Sequence, residues 1–469
     1  MKKLIRIGTL YGLLTVSGCI GPRPMAPEGA KFVATATWRI SAPTAMQIES
    51  TWWQAFSDPT LDVLISRALK NNPKIGEAAA RIAQARAQAH LARAQRGPEI
   101  NLQGVGGYTR VLEDIGPITT WGAEPEATIA YDFDLFKKLS NASAAARASL
   151  LSSEAAHAAV MLTVASTTAS TYIQLLGLDE RLRIARATLA DRARSLHVAQ
   201  RRSDSGYSSM LELRQAEAEY RATAQMVPAA ELAVSEQESA LSTLIGESPT
   251  SLIRPTNGLR KLTVPRVPAG LPSDLLRRRP DVIAAENAMI ASDRSLDSAR
   301  AAMLPSFALT GSVGSIIAAA LPNPETIFLL GGSVLAPIFD SGRRRANAET
   351  AAARRDEAAF AYKRTALGAF REVDDGLATV GKLEAQRFEL SAEVEAQSGL
   401  LRVASERYRA GYASYLDQVD AERSLLSAQL SLINVQTQRL TAFVSLYEAM
   451  GGGWQQYSKL TETDATGSR

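Results

Sequence analysis

The sequence contains a single cysteine, Cys19, and three histidines among 469 residues. A single cysteine has no partner for a disulfide within the chain. His90, His157 and His197 share no spacing typical of a metal site, so solvated helix positions are the favoured interpretation. The glycine clusters lie inside predicted strands, which argues against a phosphate-binding loop. The sequence therefore predicts no enzyme, no cofactor and no bound metal.

A strong net charge is also absent. The formal charge of +4 falls to +1 when the leader residues Lys2, Lys3 and Arg6 are removed, so the basic pI gives no reason to expect nucleic acid as a partner. The run 277–279 of three arginines could hold a phosphate, but pairing with nearby carboxylates is the favoured interpretation.

The N-terminus has the parts of a secretory signal peptide: a basic start, a short apolar run from Leu10 to Val16, and small residues up to Cys19. The run is too short to remain as a membrane-spanning helix. Its end resembles a bacterial lipobox, which implies acylation of Cys19. The mature chain would then keep no thiol, which excludes a nucleophilic cysteine. We predict a signal peptide over residues 1–18 and a lipoprotein, with Ile20 favouring export to the outer membrane. An ordinary signal peptide is the alternative.

Two pairs of segments show that the chain is a tandem duplication. Residues 201–219 and 406–424 share a Gly-Tyr pair and the residues around it at an offset of 205. Residues 68–107 and 275–314 match at an offset of 207. The repeated unit is therefore roughly 200 residues long.

Each repeat is predicted to contain one helix, two strands and two long helices. Residues 121–136 alternate apolar side chains with acidic or small ones, which is typical of a strand with one face in lipid and one in water. Gly116-Pro117 is the predicted turn. The fourth candidate strand, residues 326–339, does not alternate, because it is apolar on both faces. The predicted first helix and strands cover residues 60–96, 98–108, 121–136, 306–313 and 326–339.

Proline is missing from long stretches of both repeats. It does not occur from Lys138 to Tyr207 or after Pro337, and leucines recur every seven residues at 175, 182, 189 and 196. A helix of about 65 residues would be about 100 Å long. The seven-residue row predicts coiled-coil packing. Further helices are predicted over 208–247 and 413–450.

The prolines cluster between the repeats, where residues 255–280 are predicted to form an extended linker. The resulting predicted organisation is a signal peptide, 1–18; a lipidated extended segment, 19–59; a first repeat, 60–254; the linker, 255–280; a second repeat, 281–454; and a C-terminal tail, 455–469.

Four strands with open edges cannot face lipid alone, because unpaired backbone groups find no partner in hydrocarbon. They are also too few to close a pore. The chain is therefore predicted to form oligomers in which several subunits contribute strands to one barrel.

Short sequence motifs between Trp52 and Trp454 match those of a known family. The chain resembles the outer-membrane factors of Gram-negative tripartite efflux systems, in the NodT-type lipoprotein branch related to TolC and OprM. The motifs include WWQAFSDPTLDVLISRALKNNP, YDFDLF, LPSDLLRRRPDVIAAE, PIFDSGRRRA, GYASYLDQVDAERSLLSAQ and LYEAMGGGW. One departure is Lys137, which stands where a glycine commonly follows YDFDLF and bears on the turn into the long helix.

The resemblance implies an α+β membrane protein: a homotrimer whose 12-stranded outer-membrane β-barrel, four strands per subunit, continues as a long periplasmic α-helical tube. It implies a passive duct that exports small molecules such as drugs or solvents, with a periplasmic adaptor and an inner-membrane pump of the RND type as partners. Alternatives are a type I secretion duct, a metal-ion efflux duct, or a structural coiled-coil lipoprotein without a pore. The four strands of membrane-spanning length favour a duct over a structural rod.

The resemblance also indicates a periplasmic gate at the Gly-Tyr phrases. It places Asp417 and Asp420 on rings of carboxylates that would favour cations and bind multivalent ones. Tyr408 and Tyr412 would flank this constriction, and Glu212 would belong to the neighbouring hairpin. Ala413 stands where some relatives carry a gating arginine. The alternative for Asp417 and Glu212 is the ordinary preference of helix starts for acidic residues.

Overall fold

The structure is a computed structural model that describes residues 22–33, 38–39, 50–113, 116–255, 258–265, 272–319 and 321–452. The predicted signal peptide, Cys19 and the predicted tail lie outside the described residues. The chain divides into two compact units. The first, which we call the sheet unit, comprises Met1–Phe32, Ala80–Ala155 and Ala284–Thr365. The second, the helical unit, comprises Val33–Ala79, Ala156–Ile283 and Ala366–Arg469.

The first predicted helix is in fact two helices, α1 (Pro59–Asn71) and α2 (Pro73–Ala94). Helix α1 begins where the Asp58 carboxylate accepts a hydrogen bond from the Thr60 amide at 2.8 Å. The prediction of one helix over 60–96 was wrong at Asn72, whose backbone is extended. The reason is Pro73, because the residue before a proline avoids helical conformation.

Helix α3 runs unbroken over Lys138–Asp204, so the prediction from missing proline is confirmed. The predicted helix 208–247 is interrupted, giving α4 (Met210–Ala224) and α5 (Met226–Leu244). Pro228 explains the break: it has no N–H to donate, and its ring crowds the carbonyl of the residue four positions earlier, which is the last residue of α4.

The region between the repeats is not simply extended, which corrects the sequence prediction. It contains two short helices, α6 (Gly258–Lys261) and α7 (Pro272–Arg278). Leu259 and Leu262 are buried, and the Thr263 amide donates to the Phe56 carbonyl at 3.0 Å. The described part of this segment is therefore packed as part of the helical unit.

The second repeat follows the same order. Helix α8 spans Pro280–Ala301, α9 spans Arg343–Arg409 and α10 spans Tyr415–Ala449. Helix α9 has 67 residues, the same length as α3. Lys137 and Gly342, which precede α3 and α9 at the 205-residue offset, both have positive φ, +61° and +83°. The departure at Lys137 thus puts a lysine in a left-handed conformation that glycine adopts without strain.

The four predicted strands are present and form one antiparallel sheet in the order β1-β2-β3-β4, with β1 and β4 at its edges. The prediction of a turn at Gly116-Pro117 was wrong. These two residues begin β2, where they pair with Glu113 and Leu112 of β1. The strands are Glu99–Glu113, Gly116–Phe133, Ser306–Ala318 and Glu325–Leu335.

The register separates an apolar face from a polar one. Residues paired across antiparallel strands share a face. The apolar face carries Ile129 beside Ile100, and Val313 beside Phe328. The polar face carries Glu126 opposite Gln103, whose amide nitrogen donates to the Glu126 carboxylate at 2.8 Å. Strand β4 is the exception found in the sequence, because it places Ile327 and Leu329 on this polar face.

Aromatic residues mark both ends of the apolar face. Trp121 pairs with Tyr108 near the hairpin end, while Tyr131, Phe133 and Phe307 lie near the end that joins the helices. Trp121 and Tyr131 are ten residues apart, or about 34 Å along a strand. At the tilt of about 40° typical of outer-membrane barrels, this separation would correspond to about 26 Å along the barrel axis, close to their apolar band of about 25 Å.

Each repeat has an equivalent contact between the start of the repeat and the end of its last helix. The Asn72 side chain donates to the Leu244 carbonyl at 2.7 Å, and the Arg279 side chain donates to the Ala449 carbonyl at 3.0 Å. These pairs correspond at the repeat offsets. In each case a side chain next to a helix-opening proline satisfies a carbonyl at the end of the repeat's last helix, which needs an outside partner.

A glycine follows each of these two helix ends, and at both positions a neighbouring backbone carbonyl leaves no room for a side chain. Gly246 has φ +76°, and a Cβ there would lie 2.4 Å from the Asn71 carbonyl oxygen. Gly451 has φ +90°, and its Cβ would lie 2.6 Å from the Arg278 carbonyl oxygen. Arg279 is buried and pairs with Asp281 and Glu372 rather than with an anion from solution.

Candidate functional site

The candidate site is at the two Gly-Tyr turns, which join α3 to α4 and α9 to α10. Gly206 and Gly411 have φ +75° and +82°, the left-handed conformation that ends a helix. Ser209 and Ser414 then cap the next helices by accepting hydrogen bonds from the amides of Glu212 and Asp417, both at 3.3 Å. The duplicated phrase therefore encodes two turns of the same backbone design.

The acidic residues at matching positions of these turns behave differently. The Asp417 carboxylate turns back and accepts from the Ser414 amide at 2.9 Å, which completes a capping box. Glu212 has one more methylene, and its carboxylate instead accepts a hydrogen bond from the Tyr408 hydroxyl. Glu212 thus links the start of α4 to the end of α9.

Tyr408 has a second polar partner, Arg202 near the end of α3. One guanidinium nitrogen of Arg202 donates to the Tyr408 hydroxyl at 3.0 Å, and the guanidinium carbon lies 5.1 Å from the centre of the Tyr408 ring. Burial, and then the hydrogen bond to Glu212, raise the pKa of Tyr408 to about 12. The hydroxyl therefore keeps its proton at neutral pH and acts as the donor to Glu212. We call Arg202, Glu212 and Tyr408 the tip latch.

An apolar cluster supports the tip latch from one side. The Tyr408 ring packs against Tyr415, with the ring centres 5.6 Å apart. Leu196, the last leucine of the seven-residue row, also packs against this cluster. Its buried members come from α3, α4 and α10, so the cluster fixes both hairpins to each other: Ala199, Leu213, Ala216, Tyr415 and Val419.

A second polar layer crosses the same helices. Arg192 in α3 is only 2% exposed and pairs with Glu219 of α4 at 3.3 Å and with Glu422 of α10. Arg423 also binds Glu219. A buried arginine shared by two carboxylates is costly to disrupt, because removing it leaves buried charges without a partner.

The structure brings together only part of the predicted gate. Tyr408 and Glu212 are in contact, whereas Tyr412 is 79% exposed. The Asp420 side chain is 63% exposed and lies 3.8 Å from Arg423. Asp417 has the local capping role that the alternative interpretation anticipated, and this role leaves its part in a carboxylate ring untested.

Sequence reasoning missed Arg192, Arg202 and Glu219. Their partners lie on other helices, several of them in the other repeat, so no local spacing marks them. Among the described residues, no three His, Cys, Asp or Glu side chains converge on a site for a metal ion.

Comparison with known proteins identifies the family. The profile of the family described as "Outer membrane efflux protein" matches residues 64–247 and again residues 271–452. The pyoverdine export outer membrane protein OpmQ of Pseudomonas putida is 33% identical over 458 residues, which cover 94% of this chain and 96% of OpmQ. The cation efflux system protein CusC of Escherichia coli is 31% identical over 453 residues, covering 94% and 97%.

A solved structure shows the same fold. The outer-membrane channel OprN superposes with a TM-score of 0.85 at 27% identity, covering 93% of this chain and 99% of OprN. The α+β channel fold and the outer-membrane location predicted from the sequence are thereby confirmed. The two profile matches, the length of the shared region and the four-stranded sheet lead to one conclusion: the chain belongs to the outer membrane efflux protein family.

Proposed function

We propose that this outer membrane efflux protein acts as a homotrimeric passive duct, which a periplasmic adaptor connects to an inner-membrane pump of the RND type. The observation that supports this best is the sheet. It has an apolar face with aromatic ends and two edges, β1 and β4, that have no neighbouring strand among the described residues. Three copies joined edge to edge supply the 12 strands of a closed barrel.

The proposed role requires no catalysis. The polar face of the sheet becomes the wall of a water-filled lumen, and the pump supplies the energy for transport. Relatives named for the export of such different cargoes as pyoverdine and cations support a duct that accepts what its pump delivers. We therefore assign the choice of cargo to the pump, and we include drugs, solvents and other small toxic molecules among the cargoes.

The tip latch is proposed to hold the periplasmic entrance closed. It joins the two hairpins of one subunit through a charge-assisted hydrogen bond from Tyr408 to Glu212. Arg202 supplies a guanidinium next to this bond. We infer that Arg202 serves in place of the arginine that some relatives carry at the position of Ala413.

Docking of the adaptor is proposed at the groove beside the tip latch. This groove, of about 590 Å³, lies between α3, α9 and α10 within the helical unit. Its wall combines arginines with leucines, among them Arg194, Arg202, Arg409, Leu401 and Leu425. An amphipathic helix with acidic residues would complement such a wall.

Asp420 and Asp417 are proposed to form two rings of three carboxylates at the closed entrance. The variant Asp417→Asn/Asp420→Asn is expected to lose most of its cation selectivity and its block by divalent or trivalent cations in planar bilayers, because rings of carboxylates favour cations. The capping residue Ser414 is unchanged, and an asparagine oxygen at position 417 can still accept from its amide, so the helix start should survive.

The matched control is Asp191→Asn, which removes an exposed carboxylate paired with Arg194 on α3. It should conduct and be blocked like the wild type. Unchanged selectivity and unchanged block in the double variant would show that these aspartates do not line the entrance.

A further inference from the structure

The N-terminal segment of the described chain is attached to the second repeat. Residues 22–31, which we call the strap, lie along α8 and α9 within the sheet unit. Most of the strap is exposed to solvent, and Met25 is 82% exposed. Its position therefore depends on a few polar contacts rather than on a buried apolar surface.

Arg355 of α9 makes the central contact. Its guanidinium donates to the Pro24 and Met25 carbonyls, both at 3.1 Å, and to the Asp356 carboxylate at 2.6 Å. The residue is only 3% exposed. A buried guanidinium that binds two successive backbone carbonyls is a specific receptor for an extended chain, since its fixed fork of donors matches both acceptors.

Contacts on both sides of Arg355 extend the attachment. Arg23 of the strap pairs with Asp293 at 2.7 Å and with Asp297 at 2.9 Å, both on α8. Further along, the Lys363 ammonium donates to the Gly29 carbonyl at 2.6 Å. Side chains of α8 and α9 thus hold the strap at three successive positions.

The first repeat lacks this receptor, although it has the same helices. At the repeat offsets, Arg355 corresponds to Leu150, Asp293 to Arg86 and Asp297 to His90. In the first repeat, Arg86 of α2 instead pairs with Glu154 of α3 at 3.9 Å, a contact between the two helices that involves no N-terminal segment. The charges are specific to the repeat that carries the strap.

The strap also has a defined direction. At its first described residue, the Pro22 carbonyl accepts from Arg300 at 3.2 Å. Arg300 is the penultimate residue of α8, and β3 begins at Ser306. The start of the strap therefore lies beside the end of the sheet where the strands join the helices. Cys19 is three residues earlier, and three residues of chain reach about 11 Å at most.

We propose that Arg355, Asp293 and Asp297 are a built-in receptor for the strap, which holds the acylated end of the chain at the membrane edge of the barrel. The acylation of Cys19 and the barrel both rest on the proposed function. The receptor itself requires neither, so it is tested separately.

The first test measures whether the strap is held. In detergent, trypsin should cut after Lys31 about tenfold faster in Arg355→Ala than in the wild type, because cleavage requires the strap to detach. Arg23→Ala should have the same effect from the strap side while leaving α9 intact. Arg354→Ala is the control, since Arg354 is an exposed arginine beside Arg355. Equal rates in all four proteins would overturn the receptor.

The second test measures where the strap ends. In the unacylated Cys19→Ser background, Pro22→Cys provides the only thiol for a bimane label. Nitroxide quenchers on lipid headgroups should quench this label when the receptor is intact, and Arg355→Ala should lose most of the quenching. A label that headgroup nitroxides do not quench in the receptor-intact protein would contradict the proposed position.

Two further measurements separate this proposal from the proposed function. Palmitate labelling should detect an acyl group in the wild type and in Arg355→Ala but not in Cys19→Ser. Conductance should be the same in wild type and Arg355→Ala. We expect Arg355→Ala to combine fast cleavage of the strap with normal conductance. A wild-type protein that does not conduct would count against the duct and not against the receptor.

Discussion

Replacing Tyr408 with phenylalanine is expected to open the channel at rest. The change removes only the hydroxyl that donates to Glu212 and accepts from Arg202, while the ring can still pack on Tyr415. A hydrogen bond to a charged group contributes about 1.5–3 kcal/mol. Loss of one latch per subunit should therefore raise the open fraction at least about tenfold, measured as single-channel open probability in planar bilayers.

The control is Tyr412→Phe at the same tip. The Tyr412 side chain is largely exposed, so removal of its hydroxyl should leave the open probability unchanged. Arg202→Ala should resemble Tyr408→Phe, because it removes the other partner of the latch. If Tyr408→Phe and Tyr412→Phe open equally rarely, the contact between Tyr408 and Glu212 does not hold the entrance closed.

The second large effect is expected at Gly246, which follows the last helix of the first repeat and lies against the end of α1. Gly246→Ala should lower the free energy of unfolding by more than about 3 kcal/mol. The left-handed conformation costs a residue with a side chain about 1–2 kcal/mol. The new Cβ would also lie 2.4 Å from the Asn71 carbonyl oxygen, so backbone must move. Loss of helical circular dichroism during denaturation measures the change.

Gly206→Ala is the matched comparison. Gly206 has nearly the same φ, +75°, but no atom lies within 4 Å of its Cβ position. It should therefore lose only the conformational part, about 1–2 kcal/mol. Equal losses in the two variants would show that the close approach of Asn71 to Gly246 contributes nothing to stability.

Local patterns in the sequence were sufficient for the main elements of the fold. Missing proline predicted α3 and α9, and alternation predicted β1, β2 and β3 but not β4, because both patterns depend on neighbouring residues in the chain. The errors also have local causes. Pro73 and Pro228 divide stretches that were each predicted as one helix, and the packed linker contains short helices despite its prolines.

The site could be predicted only in part. The duplicated Gly-Tyr phrase marked the position of the tips, and Tyr408 and Glu212 were named from it. Arg202 and Arg192 were not, because their partners lie on other helices, Tyr408 and Glu422 of them in the other repeat, and only folding brings them together. The strap receptor was missed for the same reason. Comparison of the folded repeats reveals it, since Arg355 corresponds to Leu150.

The most direct test of the duct is conductance of the purified wild-type protein in planar bilayers. We predict a trimer that stays closed most of the time and opens in discrete, cation-selective steps. A trimer that never conducts at any voltage or pH, or a protein that inserts only as a monomer, would contradict the account.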